Sequence, residues 1–357
     1  MFKKTTEEKV LRDPVHGYIH VDLQVVWDVI NSSWFQRLRR IRQLGGAYVV
    51  YHCAEHSRFG HSLGVYELVR RMVSEVQDIS NALNEREKVT AMLAGLLHDI
   101  GHGPYSHAFE GVTKTSHEEF TCRIIEENTE ITRILEDCCE GLSKDVADVI
   151  CHESSNPLHA DRFDYLLRDA YFTGTKYGEY DLERILRTMR VHDGKQLVIK
   201  ESGVYAVENY IMARYHMYWQ VYYHPVARSY ETVLHLLFKR LKDLGYENVD
   251  EHVISLFEPI ISGKKISLDA YFQLDETSCG YGFHLLTKHP DPIISDLAIR
   301  IRDRILFEYQ DSQPNENRKI RNALKKNGYD LHYYWAKDEV AQSPYVPYSG
   351  SGTGSIW

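Results

Sequence analysis

Apolar residues recur at helical spacing along most of this chain. Val25, Val26, Val29 and Ile30, followed by Phe35, Leu38, Ile41 and Leu44, mark a helical stretch from Val21 to Gln43 with a break at Asn31-Ser32-Ser33. Before it, Leu11 to Tyr18 reads as extended or turn, because Pro14 and Gly17 punctuate it. Gly45 and Gly46 end the stretch, Ala47 to Tyr51 reads as a short strand, and a helix is expected from Leu63 to Val76. Val89, Met92, Leu93, Leu96 and Leu97 form one face of a further helix, which delivers His98 and Asp99 at its end. Gly101 and Gly103 admit backbone geometries closed to other residues. Pro104 can open a new helix, setting His107 and Glu110 three apart on one face.

A run of helices is expected from His117 to Cys151. The next helix turns Phe163, Leu166 and Leu167 inward and carries Asp161, Tyr165, Arg168 and Asp169 at three- and four-residue steps. Such a stripe lines a cavity if the helix is buried and is a solvent face if it is exposed. Residues 190–206 read as a small hairpin, and Arg214, Tyr218 and Tyr222 then stand at i, i+4 and i+8 of a long helix. Beyond residue 247 the pattern is mixed, with helices around 251–262 and 293–309. The expected class is therefore mainly α: a helical core over 1–246 with a small β-hairpin, a helical/mixed region over 247–348 packing on it, and a flexible Gly/Ser tail over 349–357.

Composition narrows the function classes. A chain of 357 residues, 43% hydrophobic, can bury a large core. It has no apolar run near the ~20 residues of a membrane span, and polar residues follow Met1-Phe2-Lys3-Lys4 where a secretory signal has its apolar segment, so a cytoplasmic protein is expected. The six cysteines, Cys53, Cys122, Cys138, Cys139, Cys151 and Cys279, show no paired spacing, and reduced thiols are expected. A net charge of −9 disfavours a broad nucleic-acid surface. An anionic ligand needs a local basic pocket, for which Arg37, Arg39, Arg40 and Arg42, and then Arg58, Arg162 and Arg214, are candidates.

The chemistry concentrates between His98 and Glu110, where His98, Asp99, His102, His107 and Glu110 fall within thirteen residues. Imidazole and carboxylate at that density point to a metal-centred site, for which His61 can supply a further ligand.

In order, His61, the His98-Asp99 doublet and Asp161 resemble the H…HD…D signature of the HD-domain metal-dependent phosphohydrolases. The wider stretches RDPVHGYI, FQRLRRIRQLGG, HSRFGHSLGVYE, LLHDIGHGPYSH and ADRFDYLLRDAYFTG, with the segment around Arg214, resemble the deoxynucleoside triphosphate triphosphohydrolases. The likeness covers about residues 9–310. It implies an HD-domain helical core and hydrolysis of a dNTP to deoxynucleoside and intact triphosphate. It also implies one divalent transition metal (Fe, Mn, Zn or Ni) on His61, His98, Asp99 and Asp161, and Mg²⁺ on the triphosphate. By the same resemblance His107 is the acid, oriented by Glu110, where family members often carry aspartate, and His102 and His117 contact phosphates or the attacking water. Arg58, Arg162 and Arg214 grip the phosphates, Gln43 and Leu44 lie beside the deoxyribose, Tyr165 and Asp169 surround its 3′-hydroxyl, Tyr222 crowds the 2′ carbon, and Tyr218 stands toward the base. Lys9, Val10, Asn31, Gln36, Arg39 and Tyr51 match a nucleotide-activator pocket between subunits, which implies a homo-oligomer, a tetramer in the family.

Two other classes compete. One is an HD phosphohydrolase acting on a nucleotide monophosphate, cyclic nucleotide or alarmone; the arginines and the sugar-side set argue against it. The other is a catalytically silent nucleotide sensor, against which the complete ligand set argues.

Overall fold

The computed structural model describes residues 2–338 except 107–109, 112–115, 128, 153–159, 194–195, 246–250 and 263–264. The expected acid His107 and the tail over 349–357 lie outside the described residues.

The chain opens with an antiparallel hairpin, β1 (Lys4–Asp13) and β2 (Gly17–Leu23), in the register Lys9↔Val21, Leu11↔Ile19 and Asp13↔Gly17. Helices α1 (Gln24–Asn31), α2 (Ser33–Arg37), α3 (Arg58–Glu75), α4 (Gln77–Ala82) and α5 (Glu85–Leu97) follow. Next come α6 (His117–Glu126), α7 (Glu130–Cys138), α8 (Leu142–Ala147) and α9 (Ala160–Thr173). Then α10 (Leu182–Thr188) leads into a second hairpin, β3 (Met189–His192) and β4 (Gln196–Ile199), and α11 (Val204–Met217) runs into a wide helical turn over Tyr218–Tyr222. The last helices are α12 (Pro225–Leu244), α13 (Glu251–Ile261), α14 (Leu268–Gln273), α15 (Glu276–Leu286), α16 (Pro292–Asp303), α17 (Pro314–Lys326) and α18 (Leu331–Tyr334). The protein is thus mainly helical, with two small hairpins.

The centre is α3 packed on α5 and α9. An Asn84–Glu87 capping box starts α5: Asn84 Oδ1 accepts from Glu87 N at 3.0 Å, and Glu87 Oε2 accepts from Asn84 N at 2.7 Å. Leu93, Leu96 and Leu97 of α5 are fully buried with Val65, Leu68 and Met72 of α3. Each such side chain contributes ~1.5–3 kcal/mol by leaving water. The apolar core continues through Phe238, Phe257 and Phe283 to Leu297. No helix among the described residues is long and apolar enough to cross a membrane.

Several local expectations are corrected. Val21 is in a strand, because it pairs with Lys9. The helix expected to reach Gln43 ends at Arg37 and tightens over Leu38–Arg40. From Ile41 the backbone is extended, since it pairs with the segment before α3: Arg58 N donates to Ile41 O at 2.9 Å and Gln43 N to His56 O at 3.0 Å. Ala47–Val49 is a tight helical turn, closed by Val50 N and Tyr51 N on Ala47 O, rather than a strand. Pro104 opens no helix: it sits in a turn, and Tyr105 (φ 60°) and Ser106 (φ 48°) are left-handed. The second hairpin ends at Ile199, and Val204 already begins α11. Cys122 and Cys151, expected as reduced thiols, are joined as a disulfide, because the fold packs α6 against the helical turn at Asp148–His152.

Candidate metal centre and substrate cavity

His61 lies in the first turn of α3, His98 and Asp99 follow the last turn of α5, and Asp161 lies in the first turn of α9. Packing of these three helices brings their ends together. His61 Nε2 is 3.1 Å from Asp161 Oδ1 and 3.7 Å from Asp99 Oδ2, while His98 Nε2 is 3.3 Å from Asp99 Oδ1 and 3.6 Å from Asp161 Oδ1. His98 Nδ1 donates to Gly95 O at 2.9 Å, which leaves the Nε2 lone pair facing the two carboxylates. That buried Nε2 has no hydrogen-bond partner among the described residues. A divalent cation fits His61, His98 and Asp161, whose ligand atoms all lie within 4.8 Å of one another; Asp99 borders this group and forms a second one with His102 and His117.

The electrostatics agree. Burial works against an imidazolium at His61, but hydrogen bonds to Asp161 and Asp164 outweigh it and push its pKa up to about 10. Burial also opposes charge on Asp99, yet His98, Arg58 and His102 hold it well below the usual carboxylate range. The carboxylates of the cluster therefore favour a positive partner at the His61 nitrogen, a proton or a metal ion. His102 behaves in the opposite way: burial and the Arg58 guanidinium push its pKa down to about 3, so it is neutral near pH 7.

A second layer of buried groups sets the orientation of His61. Its Nδ1 donates to Asp164 Oδ2 at 2.7 Å. Asp164 also accepts from His16 Nε2 at 2.6 Å and from Arg168 Nε and Nη2, each at 2.8 Å. Arg168 Nη1 continues to Asp13 Oδ2 at 2.8 Å, and Asp13 Oδ1 accepts the backbone N–H groups of Val15 and His16 at 2.9 Å. The tip of the first hairpin is thereby wired to a metal-ligand candidate. Asp164, His16 and Asp13 were not singled out from sequence as site residues. The available signal was an aspartate at the position on α9 between Phe163 and Leu166, where an apolar residue would suit the core. Of the polar stripe on α9, Asp161, Tyr165 and Asp169 do line a cavity, whereas Arg168 turns into this inner network.

The cavity, of about 400 Å³, begins at Arg58, Asp99, His102, Ser106, His117 and Asp161, and runs along Gln43, Leu44, Gly45 and Gly46. Tyr165, Asp169, Tyr218 and Tyr222 form the facing wall. Arg58 ion-pairs with Asp99 and donates to Ser106 Oγ at 2.9 Å. Tyr222 OH donates to Asp169 Oδ2 at 2.8 Å, and His56 Nε2 donates to Asp169 Oδ1 at 2.8 Å while stacking on Phe172. His117 and His102 stack with ring centroids 3.8 Å apart, and His117 Nδ1 donates to Glu110 Oε1 at 2.5 Å. Glu110 was expected to orient His107; among the described residues it orients His117.

Arg162 and Arg214, expected to share the substrate cavity with Arg58, line a neighbouring, mostly apolar pocket with Tyr210, Leu197 and Ile199. Adjacent helical residues diverge by about 100°, so Asp161 and Arg162 look into different spaces. Their charges still bear on Tyr165. Arg228, Glu231 and Tyr223 line the substrate cavity without having been anticipated.

Of the residues matched to an activator pocket, Lys9 and Val10 lie on β1, with the Lys9 ammonium 5.9 Å from the Trp27 ring. Asn31 Nδ2 donates to Trp27 O, and Gln36 accepts from Arg39 Nε at 2.8 Å. Tyr51 lies elsewhere, against His224, and donates to Gln220 O at 2.6 Å.

The HD domain model matches residues 58–193, and the HD associated region matches residues 180–256. An uncharacterized protein of Bacillus subtilis is 46% identical over 356 residues, covering 96% of this chain and 82% of that protein. The deoxynucleoside triphosphate triphosphohydrolase SAMHD1 of Bos taurus is 28% identical over 377 residues, covering 90% of this chain and 61% of that longer protein. The crystal structure of a phosphohydrolase from Bacteroides thetaiotaomicron superposes with a TM-score of 0.80 at 28% identity, covering 92% of this chain and 86% of that one. This chain therefore belongs to the HD-domain family, as an HD phosphohydrolase and a relative of the SAMHD1-like proteins.

Proposed function

We propose that this protein hydrolyses deoxynucleoside triphosphates to deoxynucleoside and inorganic triphosphate. The observation that carries the reading is the continuity of one cavity, from Asp99 and Asp161 at the edge of the His/Asp cluster to a wall of Tyr165, Asp169 and Tyr222 suited to a deoxyribose. Its volume falls in the ~300–1,000 Å³ range of small-ligand pockets.

His61, His98, Asp99 and Asp161 hold the divalent metal in this reading, with iron, manganese, zinc or nickel favoured by the two nitrogens. When bound, such an ion supplies Lewis acidity and an activated water at neutral pH. Arg58 neutralises phosphate charge next to it, and Mg²⁺ accompanies the outer phosphates. Arg162 and Arg214 add positive charge beside Tyr165. His102, kept neutral, offers a hydrogen bond to a phosphate oxygen without adding charge. The departing 5′ oxygen takes its proton from His107, as the family resemblance implies, while His117, held by Glu110, lines the metal end of the cavity. Gln43 and Leu44 pack along the sugar, Asp169 accepts from its 3′-hydroxyl, and the Tyr222 ring leaves no room for a 2′-hydroxyl, which excludes ribonucleotides by clash. Tyr218 lies toward the base.

Nucleotide activation at Lys9, Val10, Asn31, Gln36, Arg39 and Tyr51, with assembly to a homotetramer, belongs to the same proposal. Product analysis tests the central claim. Incubation with dGTP and Mn²⁺ or Mg²⁺ releases triphosphate and deoxyguanosine; pyrophosphate or stepwise phosphate refutes it. Light scattering with and without dGTP tests the assembly, where a monomer under both conditions refutes the tetramer.

A further inference from the structure

The turn from Gly101 to Ser106 carries His102 and Ser106 at the metal end of the cavity, and its backbone is held from the C-terminal helices. Tyr271 of α14 is buried, and its hydroxyl donates to Gly101 O at 2.6 Å. Its ring stacks on Phe120 at 3.6 Å. Arg37, fully buried against the face of Tyr271, bridges the two regions: Nη1 donates to His102 O at 2.8 Å and Nη2 to Leu274 O at 2.5 Å. Glu276, at the first position of α15, accepts from Tyr105 N at 3.2 Å and from Arg42 N at 3.1 Å, and pairs with Arg42 Nη1 at 2.9 Å. Tyr105 and Ser106 are left-handed, a conformation that residues with a Cβ keep only when their surroundings impose it. Ser106 Oγ in turn accepts from Arg58, which pairs with Asp99.

We propose that Tyr271 and Glu276, which lie beyond the stretch matched by either family model, are positioning residues for hydrolysis. They hold the 101–106 turn, and through it His102, Ser106 and Arg58, against the metal ligands. The C-terminal helices are then part of the catalytic apparatus. The proposal rests on the hydrolase reading for what is positioned, while the geometry stands independently of it.

The test compares Tyr271→Phe, which removes one hydroxyl, with Glu276→Ala, Glu276→Gln and a control, Leu286→Ala, which weakens the core of α15 without touching the turn. For dGTP, kcat is expected to fall about 10- to 100-fold in Tyr271→Phe and Glu276→Ala, since a misplacement of about 1 Å costs that much. KM and metal content per chain stay near wild type. Glu276→Gln keeps an acceptor for Tyr105 N and recovers most of kcat, and Leu286→Ala loses Tm but not kcat. Hydrogen exchange read by mass spectrometry rises in the peptide spanning 97–106 and nowhere else in Tyr271→Phe. Wild-type kcat in Tyr271→Phe, or exchange rising evenly along the chain, overturns the proposal, and Tyr271→Phe decides it if Glu276→Ala does not fold. If wild-type protein leaves dGTP intact, the substrate reading fails, and the exchange experiment alone still decides whether these residues hold the turn.

Discussion

At the scale of single residues, the division of labour on each histidine is set by its other nitrogen. His98 spends Nδ1 on Gly95 O and His61 spends Nδ1 on Asp164, so both turn an unprotonated-capable Nε2 toward the carboxylates. Removing the first ligand tests the centre directly. His98→Ala is expected to lower metal content, measured by elemental analysis, from about one ion per chain toward zero and to abolish turnover, while circular dichroism stays native; wild-type metal content would refute the assignment. Asp164 is no ligand in this assignment, yet it fixes His61 by accepting from its Nδ1. Asp164→Asn is expected to weaken metal affinity about 10- to 100-fold, the usual cost of losing such a partner, as read by competition with a chelating dye. The candidate ligands could be named from the sequence, His98 and Asp99 from their residue types and spacing, and the full set with His61 and Asp161 from the resemblance to the H…HD…D signature. Asp164 could not be, because an aspartate on a helix gives no sign of what lies across from it.

At the scale of elements, the site depends on how closely α3 approaches α9. Gly64 is the contact point: a Cβ there would fall 1.8 Å from Asp164 Oδ1 and 2.4 Å from Arg168 Nη2. Gly64→Ala must therefore separate the helices or break the Asp164–Arg168 pair. We expect a loss of about 1–3 kcal/mol or more in urea unfolding, together with weaker metal binding. Gly280 on α15 faces open space, and Gly280→Ala is expected to stabilise by up to about 1 kcal/mol. If the two substitutions behave alike, the close approach at Gly64 carries no weight. The helices themselves were foreseeable from apolar spacing, as with Leu93, Leu96 and Leu97. Elements whose hydrogen bonds go to distant partners were not: Ile41 and Gln43 look helical in sequence and are extended because residues 56–58 pair with them.

At the scale of the molecule, the candidate metal centre gathers residues of α3, α5 and α9, and an ion that binds only the folded chain would stabilise it. An excess of about 100 times its dissociation constant adds about 2.7 kcal/mol. Chelation is accordingly expected to lower Tm in calorimetry by a few degrees, and re-addition of Mn²⁺ to restore it; a Tm indifferent to both argues against a resident ion. The C-terminal helices, for which sequence patterning predicts only packing on the core, reach the turn beside that centre through Tyr271 and Glu276.

The sequence by itself determined that the chain is mainly helical and that imidazole and carboxylate concentrate between His98 and Glu110, because both follow from local spacing and residue chemistry, while the resemblance to the HD signature supplied Asp161. Tertiary structure alone decided that His61 and His98 both come within 4 Å of Asp99 and Asp161, and that Cys122 finds Cys151. It also decided that Arg58 lines the cavity beside the His/Asp cluster while Arg162 and Arg214 line another. Local periodicity encodes which backbone groups bond within one element. The distance between side chains a hundred residues apart depends on how those elements pack, and no window of sequence contains that.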